Sequence, residues 1–420
     1  MTWLRAALGM TALGLLVLAG CTAPAAAVPA APPAPVVAPA PRVTVSPPDG
    51  STGVVPAQPV TVAAANGTLS GVSVTTEDGA ALPGTLAADG ATWTATANPK
   101  FGSTYRFAGT VTGSGGTAPV VGTFRTVAPK RLVKATTTIG DGQTVGVAAP
   151  IMIQFNRPVP EVGRAAVERA LSVTTSQPVT GSWAWLTDAY GGSRVHWRPK
   201  DYWPVGTTVK MVARLYGVDM GNGAFGRADL STDFTIGRSQ IVKADARSHR
   251  IQVVRDGRVV MDLPASYGAD SDPRRITRSG THIVMAKAPS VLMTNPDFGY
   301  TNVKMNWAVR ISNNGEFIHA NPASSGAQGN TNVTNGCINL STSDAQQYFN
   351  SAIYGDPVEV TGTSIELSYA DGDLWDWAIS WDDWVAMSAL SPQSSPSEIP
   401  STAPVTPSDA PQPVNGRPGG

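Results

Sequence analysis

The sequence predicts a mainly β, multidomain protein. Its 420 residues include 43 glycines and 35 prolines, a composition that favours many turns and short strands over helix bundles. A chain of this length is expected to divide into two to four domains. Hydrophobic residues make up 42% of it and charged residues 14%, which is enough apolar material for several cores. The formal net charge is zero, and the absence of a Lys/Arg block argues against a nucleic-acid partner.

Residues 1–20 are predicted to be a lipoprotein signal peptide. A basic Arg5 precedes an apolar run that ends in Leu18-Ala19-Gly20-Cys21, and this run is too short for a stable membrane span. Its ending resembles the bacterial lipoprotein signal, which implies cleavage before Cys21 and a lipid on the Cys21 sulfur. The alternative is an ordinary secretory signal cleaved among residues 25–27. We expect a membrane-associated protein, anchored by lipid to the extracytoplasmic face of the plasma membrane, on the side of the cell wall and periplasmic space.

Two low-complexity segments flank the folded part of the chain. Residues 21–42 are rich in Ala and Pro and are predicted to form an extended, semi-rigid spacer. Residues 391–420 are rich in Pro and Ser and are predicted to be disordered.

Residues 43–129 and 130–237 are predicted to be two immunoglobulin-like domains. The pattern Asp49-Gly50-Ser51-Thr52 recurs as Asp141-Gly142-Gln143-Thr144, so the two segments look like copies of one unit. Each copy is about a hundred residues of short alternating strands, which suits a β-sandwich of immunoglobulin type without its disulfide.

Aromatic and apolar residues of the second copy are predicted to form its core. Ile151, Ile153 and Phe155 alternate along one strand, which places them on one face. Four tryptophans are expected to serve core or interdomain packing rather than a ligand platform: Trp183, Trp185, Trp197 and Trp203.

A third domain is predicted over residues 238–362. It begins with a β-hairpin, in which two apolar runs flank Asp256-Gly257. Residues 264–306 are punctuated by Gly, Pro and Asn and include Tyr300. We expect an irregular segment there, which is either a lid over a site or an ordinary surface excursion.

The end of this domain is predicted to be a capped helix followed by a strand. Ser341 to Asp344 has the spacing of a capping box. Apolar residues then recur at helical spacing from Ala345 to Ile353, and Val358 to Val360 returns to strand. Residues 363–390 form a C-terminal subdomain that we expect to pack on the third domain through Trp375, Trp377, Trp381 and Trp384.

Cys337 is the candidate nucleophile. If Cys21 is lipidated, Cys337 has no intramolecular partner, and a leftover thiol in an exported protein needs an explanation. A small buried hydrophobe is the alternative. Because Cys337 lies just before a capped helix, we expect its pKa to be lowered. Gly336 allows a sharp turn that presents backbone N–H groups to an oxyanion.

His319 is the candidate base. It lies 18 residues before Cys337, and a loop of that length can return the chain beside its start, as a Cys–His pair requires. His196 lies in the second domain and His249 precedes the hairpin, so neither is an obvious partner. No Cys/His/carboxylate cluster has the spacing of zinc ligands, and neither a metal nor another cofactor is predicted.

The third domain resembles the YkuD-type catalytic domain of L,D-transpeptidases. The resemblance is carried by His319 and by Thr334-Asn335-Gly336-Cys337-Ile338-Asn339. The order of lipoprotein signal, spacer, tandem immunoglobulin-like domains, catalytic domain and C-terminal subdomain resembles the mycobacterial lipoprotein type of that family.

The resemblance implies roles for the residues of the motif. Cys337 would be the nucleophile and His319 its general base, with the Ala320 carbonyl holding the imidazole. The N–H groups of Gly336 and Cys337 would form the oxyanion hole. Substrate-binding or supporting roles are implied for Tyr300, Thr334, Asn335 and Asn339.

The resemblance also implies the reaction and its partners. Cys337 would cleave D-Ala from a peptidoglycan tetrapeptide stem and form a thioester acyl-enzyme. A diaminopimelate side chain of a second stem would then resolve the thioester into a 3→3 cross-link. Carbapenem β-lactams are expected covalent inhibitors.

Asn335 departs from the family pattern, which has a second His there. The fifth mycobacterial paralogue, with a proline-rich C-terminus, is similar in this replacement. The departure leaves two readings: altered substrate or β-lactam selectivity, or weak turnover in a protein that mainly binds peptidoglycan. An L,D-carboxypeptidase, in which water resolves the thioester, is the enzymatic alternative.

Overall fold

The computed structural model describes residues 38–372 and 374–391. The predicted signal peptide, Cys21, most of the spacer and nearly all of the C-terminal tail lie outside the described residues. Within them the protein is mainly β, as predicted, with three short α-helices. None of the helices in this part of the chain is long and apolar enough to cross a bilayer.

The first unit is a β-sandwich of two four-stranded sheets. Their strand orders are β1-β3-β6-β5 and β2-β8-β7-β4. The strands are β1 (Arg42–Ser46), β2 (Ser51–Val54), β3 (Thr61–Ala65), β4 (Thr68–Thr76), β5 (Gly84–Leu86), β6 (Thr92–Ala95), β7 (Thr104–Gly113) and β8 (Gly116–Thr126). Val62, Phe107 and Phe124 are buried between the sheets. The predicted immunoglobulin-like fold is confirmed for this unit.

The second unit repeats the sandwich, with sheet orders β10-β12-β15-β14 and β11-β18-β16-β13 and a small β9–β17 pair. Its elements are β9 (Arg131–Val133), β10 (Ala135–Thr137), β11 (Gln143–Val145), β12 (Ile151–Phe155), α1 (Glu161–Arg169), β13 (Leu171–Thr175), β14 (Gly181–Ala189), β15 (Gly192–Pro199), β16 (Thr208–Ala213), β17 (Ala224–Gly226) and β18 (Leu230–Ile236). The apolar face of β12 and the four tryptophans are buried in its core, so their predicted packing role is confirmed.

The third unit combines a five-stranded sheet, β21-β20-β19-β27-β22, with a four-stranded sheet, β23-β24-β25-β26. Its elements are β19 (Gln240–Asp245), β20 (Arg250–Arg255), β21 (Arg258–Pro264), β22 (Gly280–Ile283), β23 (Ala286–Asn295), β24 (Tyr300–Arg310), β25 (Phe317–Ala320), β26 (Ile338–Leu340), α2 (Thr342–Ser351) and β27 (Pro357–Thr361). Helix α2 buries Ala345 and Tyr348 in the core that the two sheets share. Its predicted cap is present, because the Ser341 side chain accepts a hydrogen bond from the Asp344 N–H.

The expectation of an irregular segment over residues 264–306 is wrong for its second half. Strands β23 and β24 pair in a long antiparallel hairpin from Ala286 to Arg310. The punctuating residues are concentrated at its tip, where a 3-10 turn over Pro296–Phe298 ends at Gly299 with φ 74°. Much of the hairpin is exposed, including Leu292, and its residues therefore lack the clear apolar alternation that marks a half-buried strand.

The second and third units contact each other through backbone. The Gly146 N–H donates to Tyr354 O at 2.7 Å and the Ala148 N–H to Gly355 O at 2.9 Å. A Cβ atom at Gly146 would lie 2.3 Å from Asp356 N, so this close approach requires glycine. The Tyr202 hydroxyl adds a bond to Glu359 at 3.0 Å.

The C-terminal tryptophans pack mainly on the second sandwich, so the expectation that they pack on the third domain is wrong except for Trp377, which also packs beside Ile283 of β22. Trp384 is buried against Ala184 and Leu186, and its Nε1 donates to Ser182 O at 2.9 Å. Nε1 of Trp377 donates to Ala148 O at 2.9 Å. Helix α3 (Trp381–Ala386) lies along β14.

Two buried polar residues of β15 explain this docking. The Arg198 guanidinium lies 4.7 Å from the ring centres of both Trp377 and Trp384, as cation–π contacts require. His196 Nδ1 lies 3.0 Å from Asp376 Oδ2, and both side chains are almost completely buried. Arg198 and His196, both on β15 of the second sandwich, therefore hold the C-terminal segment in place.

We predict that Asp376→Ala lowers the free energy of unfolding by about 3 kcal/mol, because it leaves His196 buried without its partner. Denaturant unfolding measures the change. Asp382→Ala is the matched control, since Asp382 is exposed on α3 and its loss should cost less than about 0.5 kcal/mol. Equal effects of the two substitutions would contradict the assigned role of the His196–Asp376 pair.

Candidate active site

Parallel pairing of β25 and β26 brings the two ends of the His319–Cys337 loop together. Ile318 pairs with Ile338 and His319 with Asn339, and Cys337 immediately precedes β26. The 18-residue separation thus acts as the crossover that parallel strands need. All residues of both strands are buried, so the two segments are fixed in the core rather than on a surface loop.

His319 is buried and held in one tautomer. Its Nδ1 lies 2.9 Å from the Ala320 carbonyl oxygen, which can only accept, so Nδ1 carries the hydrogen and Nε2 the lone pair. Burial lowers the pKa of His319, and the hydrogen bond to Ala320 opposes that shift only in part. The imidazole is therefore neutral at neutral pH and able to accept a proton at Nε2.

Cys337 is a protonated thiol at rest, and the expectation of a lowered pKa is wrong. Burial raises its pKa to about 12, and the charge of Glu316 adds to the rise. The Phe317 N–H and Arg310 act in the opposite direction. Strand β26 separates Cys337 from α2, so the helix N-terminus does not supply the N–H groups that would favour a thiolate.

The turn before Cys337 is fixed by hydroxyl groups. Gly336 has φ 110°, a conformation that favours glycine. The Thr334 hydroxyl donates to Cys337 O at 2.6 Å, and the Thr277 hydroxyl donates to Gly336 O at 2.8 Å. Thr277 also accepts the Gly268 N–H at 2.9 Å. The carbonyls of the turn are thereby engaged, which fixes the orientation of its peptide planes.

The other residues singled out in the sequence have different surroundings. Tyr300 begins β24, and both burial and the nearby Cys337 raise its pKa. Asn339 is almost fully buried on β26, and its Oδ1 has no hydrogen-bond partner among the described residues. Asn335 is partly exposed beside Gly336. The Cys337 thiol itself lies 3.6 Å from Gly315 O.

Sequence reasoning missed several residues around the turn. Nε of Arg275 donates to Thr334 O at 3.2 Å, and the Arg275 and Arg274 guanidiniums lie 6.0 and 5.3 Å from the Phe298 ring centre. The tip of the β23–β24 hairpin therefore reaches the loop that supports the turn. Glu316 was also missed, although a carboxylate beside the apolar Phe317-Ile318 is an unusual residue in a strand-forming stretch.

Metal chemistry has no candidate residues in the described part of the chain. Over residues 38–372 and 374–391, no group of three or more His, Cys, Asp or Glu side chains is arranged to hold an ion.

Comparison with known proteins identifies relatives over most of the chain. Residues 51–219 match the bacterial Ig domain family, and residues 239–360 match the L,D-transpeptidase catalytic domain family. L,D-transpeptidase 5 of Mycobacterium tuberculosis (strain ATCC 25618 / H37Rv) is 52% identical over 355 residues, which cover 84% of this chain and 78% of the relative. The resemblance to the fifth mycobacterial paralogue is confirmed.

More distant relatives match more than half of the chain. L,D-transpeptidase 2 of Mycobacterium tuberculosis (strain CDC 1551 / Oshkosh) is 36% identical over 357 residues, covering 83% of this chain and 85% of the relative. The solved structure of LD transpeptidase LdtMt1 in complex with imipenem is 33% identical, with a TM-score of 0.46, and covers 56% of this chain and 100% of that chain.

We predict that Thr277→Val destabilises the turn, because Val keeps the shape but leaves Gly336 O and the Gly268 N–H without this partner. The free energy of unfolding should fall by about 1–3 kcal/mol, and amide exchange at Gly268 should become faster. Thr117→Val, at an exposed position of β8, is the control and should be nearly neutral. If Thr277→Val were as stable as this control, the two hydrogen bonds of the Thr277 hydroxyl would not hold the turn.

Proposed function

The chain belongs to the L,D-transpeptidase family, and on that premise we propose that it forms 3→3 cross-links between peptidoglycan stem peptides through a thioester on Cys337. The donor would be a tetrapeptide stem, and the acceptor the side-chain amine of diaminopimelate in a second stem. The observation that best supports this assignment is the neutral His319, whose Nδ1–H is held by Ala320 O on the strand that pairs beside the Cys337 motif.

Acylation would begin from a neutral pair rather than an ion pair. Because the pKa of Cys337 is raised and that of His319 is lowered, the thiol proton would pass to Nε2 of His319 as sulfur attacks the carbonyl carbon that precedes D-Ala. Such a proton transfer by a positioned base contributes about 10²–10⁴-fold to a rate. The C–N bond to D-Ala then breaks, and the amine leaves with the proton from His319.

The Gly336 turn would stabilise the negative charge that develops on the carbonyl oxygen. We assign the oxyanion hole to the N–H groups of Gly336 and Cys337, and each donor of such a hole is worth about 3 kcal/mol in a measured protease. The hydrogen bonds from Thr334 and Thr277 to the carbonyls of the turn support this assignment, because they restrain the peptide planes that carry those N–H groups.

Deacylation decides between the proposed transfer and hydrolysis. In transfer, the diaminopimelate amine attacks the thioester, gives up a proton to His319 and releases the thiol of Cys337, which regains its hydrogen. In an L,D-carboxypeptidase, water would take the place of the amine. The β23–β24 hairpin, whose tip meets Arg274 and Arg275, is the element we assign to acceptor-stem binding together with Tyr300.

Asn335 changes what the motif can do. An amide at this position can donate a hydrogen bond but does not titrate near neutral pH, as the His of the family pattern does. We therefore assign proton transfer in both half-reactions to His319 alone. Asn335 and Asn339 remain candidates for hydrogen bonds to the stem peptide.

The N-terminal signal is the basis for a proposal about the location of the protein. We propose that a lipid on Cys21 anchors the chain at the extracytoplasmic face of the plasma membrane, within reach of the cell wall, since covalent acyl chains anchor without a membrane-spanning helix. Carbapenems are proposed to acylate Cys337, because their strained carbonyl would present the same target to the nucleophile as the stem peptide.

We predict that the purified protein converts a disaccharide-tetrapeptide into a dimer that has lost one D-Ala. Mass spectrometry of the reaction products detects this dimer. Cys337→Ala should abolish the product because no thioester can form. His319→Gln should lower the rate by about 10²–10⁴-fold because the proton acceptor is lost. Monomeric tripeptide in place of dimer would favour the carboxypeptidase.

His249→Gln is a matched control for the base, because His249 lies in the same unit but binds Asn332 Oδ1 at 2.8 Å. It should retain most of the activity. An unchanged substrate together with an unmodified Cys337 after exposure to imipenem would contradict the enzymatic assignment and favour a non-catalytic peptidoglycan-binding protein.

A further inference from the structure

A buried carboxyl group lies behind the Gly336–Cys337 turn. Glu316 is only 4% exposed, and a Cβ atom added at Gly336 would lie 3.8 Å from its Cγ. The residue before it, Gly315, accepts the hydrogen bond of the Cys337 thiol, and the residue after it, Phe317, begins β25. The carboxyl group is therefore built into the wall of the site, without exposure to bulk solvent.

Only one of the two oxygens of the Glu316 carboxyl accepts a hydrogen bond from the described residues. Its Oε1 accepts the Arg278 N–H at 2.8 Å, while Oε2 has no hydrogen-bond partner in the described part of the chain. The Arg278 side chain pairs instead with Asp371 at 3.0 Å. A buried carboxylate without a bonded cation is costly, so its retention requires compensation from another charge.

His282 supplies that compensation. Its Nδ1 lies 3.3 Å from Ile311 O and its Nε2 lies 2.8 Å from Arg278 O. Two carbonyl acceptors are both satisfied only when both ring nitrogens carry hydrogen, that is, when the ring is a cation. The same Nδ1 is 3.7 Å from Glu316 Oε2, so the geometry favours an imidazolium–carboxylate pair below the nucleophile.

The groups around Glu316 raise or lower the pKa of its carboxyl. Burial raises the pKa of Glu316 most strongly, the charge of His282 and the hydrogen bond from the Arg278 N–H lower it, and the charge of Asp371 raises it. On the side of the nucleophile, the charge of Glu316 disfavours the Cys337 thiolate and Arg310 favours it. Glu316 is thus the nearby acidic group that opposes ionisation of the thiol.

We propose that Glu316 is a positioning residue: it places a buried negative charge, balanced by His282, behind the Gly336–Cys337 turn, and this charge adds to the effect of burial in keeping Cys337 protonated at rest. The proposal rests on the proposed function in taking Cys337 as the nucleophile. It adds that little thiolate is present before a donor binds, so that in catalysis the proton passes from sulfur to His319 as the thiol attacks. A thiol held in this way is less open to oxidation, because thiolate character governs the susceptibility of cysteine.

The test measures alkylation of the full-length protein by iodoacetamide, quantified on the Cys337 peptide by mass spectrometry so that Cys21 does not contribute. Glu316→Gln should give about 10-fold more thiolate, and its rate should be roughly 3-fold faster because a less basic thiolate is less nucleophilic. The plot of log rate against pH from about 7 to about 9 should move to lower pH without a change of slope.

Asp356→Asn is the matched control, because it removes another buried carboxyl of the third unit, one that bonds Arg238 and Gln240 rather than a residue of the turn. It should leave the alkylation rate unchanged, whereas simple loosening of the structure would accelerate both variants. Glu316→Met provides a second uncharged side chain of similar size, should Glu316→Gln fail to fold, and it should show the same shift.

Equal or slower alkylation in the folded Glu316 variants, or equal acceleration in Asp356→Asn, would overturn the proposal. So would failure of both Glu316 variants to fold, since the carboxyl would then be a structural requirement. The readout uses no stem peptide. A shifted profile in a protein without cross-linking activity would therefore reject the proposed function alone, and an unshifted profile in an active enzyme would reject only the role of Glu316.

Discussion

The site depends on the parallel pairing of two short buried strands. Parallel strands cannot be joined by a tight turn, and the loop from His319 to Cys337 provides the crossover that lets β25 and β26 lie side by side. Because Ile318 and Ile338 both lie in the apolar core of the third unit, a slip of one residue would place a polar neighbour, His319 or Asn339, there instead. The core packing of the third unit thus sets the register between the base and the nucleophile.

Burial also determines the chemistry of the pair. Removal from water penalises the charged form of every titratable group, so it raises the pKa of Cys337 and lowers that of His319. Both residues rest in their neutral forms. Glu316 is itself almost fully buried, and a charge removed from water is screened less, so it acts more strongly on the nearby thiol. A resting thiolate–imidazolium pair is therefore disfavoured, and proton transfer has to accompany attack.

The sequence allowed prediction of features that depend on local pattern. Alternating strands and a repeated turn motif predicted two sandwiches, and spacing together with the family motif identified His319 and Cys337. Features set by packing between distant segments could not be predicted. The direction of the Cys337 pKa shift depends on burial and on Glu316, the β23–β24 hairpin lacks an apolar face, and the C-terminal tryptophans dock on Arg198, which is far away in sequence.

The most direct test of the neutral pair is nitrogen NMR of the His319 imidazole in ¹⁵N-labelled protein. A His319→Gln sample would assign the signals. The account predicts a neutral ring with hydrogen on Nδ1 at neutral pH, which gains its second proton only below the ordinary histidine value of about 6.5. A doubly protonated His319 at neutral pH, present in the wild type and lost in Cys337→Ala, would show a resting ion pair and contradict the account.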